Sequence, residues 1–139
     1  MPFPAPFGRS DHALSESKAL PAAASGSVVT DPIDLMHQRQ FLADMELVVV
    51  APALNTTQLP DTRTVTYSIE TDDNAAFSSA KVLNASIGVQ TGADAAGAAK
   101  TEFRLRVPSN VERYVRAKAT TGASTGNCSA ASMVLEPRF

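Results

Sequence analysis

His12, His37 and Cys128 are the side chains of this chain best suited to proton transfer, metal binding or nucleophilic attack near neutral pH. Neither histidine falls into a zinc-type ligand set, so both are expected at the surface. Cys128 stands between Asn127 and Ser129 with no histidine nearby in sequence. It is expected in a final strand as a buried small hydrophobe. Asp31 and Asp34 lie three apart in "TDPIDL" (Thr30 to Leu35). Pro32 keeps that stretch extended, so the two carboxylates point to opposite sides and cannot work as an acid/base couple. "ETDDN" (Glu70 to Asn74) gathers carboxylates as a hard-cation loop does. It lacks the glycine and the distal glutamate of an EF-hand, and a solvated hairpin is expected. There is no Gly-rich phosphate loop, no nucleophile elbow and no His-Glu-x-x-His pair. The expectation is therefore no enzyme, no catalytic or metal-ligating residue and no cofactor.

What remains is a group of basic residues. Arg104 and Arg106 alternate in "EFRLRV", and Arg113, Tyr114, Arg116 and Lys118 follow in "RYVRAKAT" after the short connection "PSN". Val115, Ala117 and Ala119 make the better inward row, which turns Tyr114, Arg116 and Lys118 outward. If the two strands are neighbours, all five outward residues form one positive patch. Such a patch is either a solvated sheet face or a protein-binding face, since Arg and Tyr are enriched where interfaces bury surface.

The elements that must carry these residues have a period of two. "TVTYSIE" places Val65, Tyr67 and Ile69 on one face, and "EFRLRV" places Phe103, Leu105 and Val107 opposite Glu102, Arg104 and Arg106. "SGSVVT" with "IDL", "MELVVV", "AKVLNASIGV", "RYVRAKAT" and "CSAASMVL" are further candidate strands. The stretches between them are rich in Gly, Pro, Asn, Asp, Ser and Thr, which is turn chemistry. "DLMHQRQFLADME" (Asp34 to Glu46) is expected to be a loop with a single helical turn, and "ADAAGAAK" (Ala93 to Lys100), broken by Gly97, a loop. Six to eight short strands without helical connections predict an all-β antiparallel two-sheet sandwich or barrel. Residues 1–14, with prolines at positions 2, 4 and 6, read as an extended arm, and 15–139 as the sandwich domain. Phe3 and Phe7 are large apolar groups in that arm that need a surface to cover them.

Composition narrows the classes. Fourteen Asp plus Glu against twelve Lys plus Arg disfavour a general affinity for nucleic acid. One cysteine excludes an intrachain disulfide and fits synthesis in a reducing cytoplasm. The N-terminus does not read as a signal peptide. The longest apolar run, Leu47 to Leu54, is too short to span a bilayer. Asn-x-Ser/Thr triplets at Asn55, Asn84 and Asn127 matter only in a secretory pathway.

The order of these signals resembles the jelly-roll cement, or decoration, proteins on the heads of short-tailed bacteriophages. The resemblance covers Ser15 to Leu135 and is carried by "SESKALPAAASGSVVTDPIDL", "LVVVAPAL", "TVTYSIETDDNAAFSSAKVL" and "RLRVPSNVERYVRAKATTGASTGNCSAASMVL". The Pro-Phe arm and "LMHQRQFLADM" depart from the family pattern. The resemblance implies a jelly roll made in the cytoplasm of the host bacterium and placed on the outer surface of the virion. There it would bind the major capsid protein as a homodimer and bridge neighbouring subunits, with no direct contact to nucleic acid or membrane. Phe3, Phe7, Arg104, Arg106, Tyr114, Arg116 and Lys118 are then the expected capsid-binding residues. Two other readings compete: a carbohydrate-binding sandwich and another virion adaptor. The absence of Trp and the presence of only two Tyr weigh against a sugar platform.

Overall fold

The computed structural model describes residues 14–35 and 45–138. The arm with Phe3 and Phe7, both histidines and the expected helical turn before Glu46 lie outside the described residues. The remainder is all-β, with no α-helix among the described residues.

Nine strands follow in order: β1 (Glu16–Ala19), β2 (Ser27–Val29), β3 (Ile33–Asp34), β4 (Glu46–Ala51), β5 (Thr64–Asp72), β6 (Lys81–Thr91), β7 (Thr101–Arg106), β8 (Tyr114–Thr121) and β9 (Ser132–Arg138). They form two antiparallel sheets. The first has the order β1-β9-β4-β7, and the second the order β2-β8-β5-β6 with β3 also paired to β8. This is the double-sheet order of a jelly roll, in which the chain keeps passing from one sheet to the other. Among the described residues, only β5 and β6 are joined as a hairpin within one sheet.

Each sheet buries the face that its alternation presents. Val65, Tyr67 and Ile69 of β5, and Val115, Ala117 and Ala119 of β8, are fully buried. They pack in one cluster with Leu47, Val49 and Ala51 of β4 and Met133 and Leu135 of β9. Burying a Val, Leu or Ile side chain contributes roughly 1.5–3 kcal/mol, so this inter-sheet layer is the main stabilising term. One close inter-sheet contact is at Gly88 on β6. A Cβ there would stand 2.1 Å from the ring of Phe103 on β7, so only glycine admits that ring.

β6 does not alternate. Its pairing with β5 shifts register between Tyr67 and Ile69 and again between Ile69 and Glu70. Four residues on β6, from Gly88 to Asn84, are spent against two on β5. The surplus bulges outward, and Asn84 Oδ1 accepts the N–H of Ser86 there.

Two sequence readings are corrected. β7 and β8 are not neighbours but belong to opposite sheets, because the segment Val107–Arg113 crosses the sandwich instead of folding a hairpin. Cys128 is not in the last strand. Asn127 Oδ1 accepts the N–H of Ser129, and Ala131 N–H donates to Cys128 O, so a turn precedes β9. The thiol is nevertheless fully buried. The polar stretch Glu16–Ala19, which was not among the candidate strands, is also a strand. It pairs with Ser132–Leu135 at the sheet edge, where few of its side chains need to be apolar.

Candidate functional site

The crossing of Val107–Arg113 divides the expected basic patch. Arg104 and Arg106 point outward from the first sheet, while Tyr114, Arg116 and Lys118 point outward from the second. The five residues therefore lie on the two opposite outer surfaces of the sandwich.

On the first sheet most charges are spent on one another, although Arg106 makes no ion pair among the described residues. Register sets Val48 of β4 between Arg104 and Glu136, and Glu46 between Arg106 and Arg138. Arg138 binds Glu102 through two nitrogens at 2.9 and 2.8 Å and also reaches Glu136. Arg104 approaches Glu102 at 3.4 Å and Glu46 at 3.6 Å. Val48, though outward-facing, is fully buried beneath this surface. The hydrogen bonds from Arg138 hold the Glu102 carboxyl down at about 2, and they raise the guanidinium of Arg138 in return.

On the second sheet Arg116 donates from Nε to Glu70 at 2.9 Å, and its guanidinium lies 4.2 Å from the centre of the Phe77 ring. The loop between β5 and β6 brings Phe77 there. Asp72 accepts the backbone N–H groups of Asn74 and Ser79, Asn74 Oδ1 accepts that of Ala76, and Phe77 N–H closes on Asn74 O. Phe77 takes φ of +52°, an uncommon conformation for a bulky residue, so the loop enforces its seat over Arg116. Arg113 forms a fork with both oxygens of Asp34 at 2.9 Å. Arg116 is thus a partly buried cation held between Glu70 and the Phe77 ring.

The "ETDDN" segment has a chemistry of its own. One carboxylate oxygen each of Asp72, Asp73 and Glu112 lies within 4.8 Å of the others, the grouping among the described residues able to hold a cation. Both oxygens of Asp72 already accept backbone N–H groups, and Lys81 Nζ bonds to Glu112. Burial pushes the Asp72 carboxyl up, but those hydrogen bonds outweigh it and leave the pKa lowered. Hydrogen bonding to Glu112 raises the Lys81 ammonium. An ammonium of the chain itself therefore supplies the positive charge, and the cluster pins the start of β6 to the segment before β8.

Concave surface occurs at one end of the sandwich. A shallow depression of about 740 Å³ lies between the loops that follow β4 and precede β7. Its walls are mostly Ala53, Leu54, Ala93, Ala96, Ala98 and Ala99, with Asn55 and Gln58 as the polar side chains. Asn55 Oδ1 accepts from Thr57 and Gln58 N–H, and Gln58 Oε1 accepts from Asn55 N–H, so these amides hold the loop. No acid, base or nucleophile lines the depression.

Sequence reasoning missed two residues. Val82 and Val89, 61% and 43% exposed, are the exposed large hydrophobic residues among those described. Both belong to β6, whose bulge hides the period that would have assigned their face.

A family model described as Bbp16 matches residues 14–134, most of the chain and nearly all of the sandwich. A search of curated proteins finds no match.

Proposed function

The chain belongs to the Bbp16 family, and we propose that it is a non-catalytic structural protein of a bacteriophage virion that binds the outside of the capsid and stabilises it by bridging major capsid subunits. The observation that carries this reading is where the charged side chains are spent. Arg104, Arg113, Arg116, Arg138 and Lys81 each pair with an acid of the same chain across strands or loops. They lock a rigid shell of strands instead of converging on a cavity, and the described depression contains no titratable group. A rigid sandwich with large sheet faces suits a clamp more than a catalyst. The resemblance of the blocks between Ser15 and Leu135 to jelly-roll cement proteins supports the same role, with a homodimer on the capsid as the working unit.

Such a protein acts by mass action. Binding the assembled shell and not its free subunits stabilises the shell by RT ln(1 + [L]/Kd), about 2.7 kcal/mol per site at a hundredfold excess over Kd. Repeated over a lattice, small increments resist the outward pressure of packaged DNA.

The test is to locate the protein in purified particles, strip it, and add back the purified chain. Rebinding to the outer surface with a raised temperature of DNA release is the expected result. Absence from particles, or rebinding without any change in DNA release, overturns the reading.

A further inference from the structure

Resting on that reading, we infer that the outer face of the second sheet, at its β6 margin, is the surface that docks on the shell. It fits a protein partner offering two apolar contacts with a carboxylate set between and beside them.

The argument begins with position. Val89 pairs with Thr66 and Val82 with Glu70, and directly opposed residues in antiparallel strands share a face. Thr66 and Glu70 lie on the outward side of β5, since Val65, Tyr67 and Ile69 fill the core side. Both exposed valines therefore stand on one outer face, four residues apart along β5, or about 13 Å. Midway between them is Ser68, which pairs with Lys118 on β8. Lys118 makes no ion pair among the described residues, unlike the neighbouring Arg116. Around it the face carries Thr66 and Thr120, neutral and short, and the mutually paired Arg116 and Glu70.

Exposed apolar surface decides between the two faces. Both carry ion pairs that docking would desolvate, a network of five charged residues on the first sheet and the half-buried Arg116–Glu70 pair on the second. Among the described residues the exposed large hydrophobic side chains, Val82 and Val89, both stand on the second. Covering its β6 margin removes these valines and several hydroxyl-bearing side chains from water, and Lys118 can meet a partner carboxylate beside the internally paired Arg116 and Glu70. Strand addition along β6 is a poorer use of this margin, because the bulge at Asn84–Ile87 interrupts the straight ladder that a new strand needs. The contact is therefore face-on.

The experiment uses particles stripped of this protein and the purified full-length chain. Four forms are compared: wild type, Val82→Glu with Val89→Glu, Lys118→Glu, and Ser17→Glu on the exposed edge of the first sheet as a control. A gentler pair, Val82→Ser with Val89→Ser, guards against misfolding, and thermal melts establish that each form is folded. The double glutamate variant is expected to lose at least tenfold in affinity and the double serine variant severalfold, with the control unchanged. Wild-type binding is expected to weaken with salt more steeply than that of Lys118→Glu. Equal occupancy by folded valine variants overturns the inference while leaving shell binding intact. Valine variants that become monomeric yet still occupy the shell also overturn it, assigning the face to a second copy of the chain. Failure of the wild type to bind defeats the shell-binding reading itself.

Discussion

Tyr67 on β5 donates its phenolic hydrogen to Oε1 of Gln90 on β6 at 2.6 Å, inside the sandwich. The Gln90 amide donates in turn to Pro52 O at 2.7 Å and Ala99 O at 3.1 Å, the backbone just after β4 and just before β7. One side chain thus ties the second sheet to both loops at an end of the first. Burial drives the Tyr67 phenol up, with the nearby Cys128 adding to it, so the group stays a donor across the accessible pH range. Each buried polar group stripped of its partner costs roughly 1–3 kcal/mol. Gln90→Leu is expected to cost at least as much as Tyr67→Phe, because it leaves three groups unpaired instead of one. Urea unfolding of both variants checks the order; a smaller loss for Gln90→Leu contradicts it.

Arg116 and Glu70 have side chains only 21% and 12% exposed. Arg116→Glu sets two carboxylates against each other and removes the cation from the Phe77 ring. A loss of about 2 kcal/mol or more is expected, short of the ~3–5 kcal/mol of a fully buried pair. Combining it with Glu70→Arg should recover part of the loss. Thermal unfolding of the single and exchanged variants measures this, and a single variant as stable as wild type would refute it.

Acid sensitivity follows from Glu102. Its carboxyl is held at about 2 in the folded chain, below its ordinary value of 4.5. A depressed folded pKa contributes stability above the unfolded value, and the contribution is lost as pH falls from about 4.5 through about 2. Because Glu102 is 38% exposed, the effect should stay within ~1 kcal/mol. Glu102→Gln should therefore melt below wild type at pH 6, and the gap should narrow below pH 4.5 and close only as pH falls through about 2. A gap that persists at low pH contradicts the assignment.

Cys128 donates from Sγ to Gln58 O at 3.4 Å, and burial raises its thiol. The native chain should react with a disulfide reagent such as DTNB only on the time scale of unfolding, and fully in denaturant. Fast labelling of folded protein would show that the end of the sandwich opens locally.

The inward rows of β5 and β8 were legible in the sequence because side-chain alternation is local. Val65, Tyr67 and Ile69 announce a half-buried strand from seven consecutive residues, and so do Val115, Ala117 and Ala119. The outward placement of Tyr114, Arg116 and Lys118 follows from the same periodicity. The all-β class was legible for a related reason, since turn residues punctuate the chain too often for helices.

Which strands become neighbours was decided only in three dimensions. A short segment such as Val107–Arg113 can close a hairpin or arch across a sandwich, and its residues do not distinguish the two. β1 finds its partner in β9, more than a hundred residues away, so nothing near Glu16–Ala19 announces a strand. Ion pairs depend on the same long-range register. Arg116 meets Glu70, and Arg138 meets Glu102, because β8 lies beside β5 and because β9 and β7 flank β4. The valines of β6 turn outward through a bulge that costs the strand its period. Alternation sets which way a residue faces within its strand, but the packing of two sheets sets what it faces, because burying both apolar faces at once is a property of the whole chain.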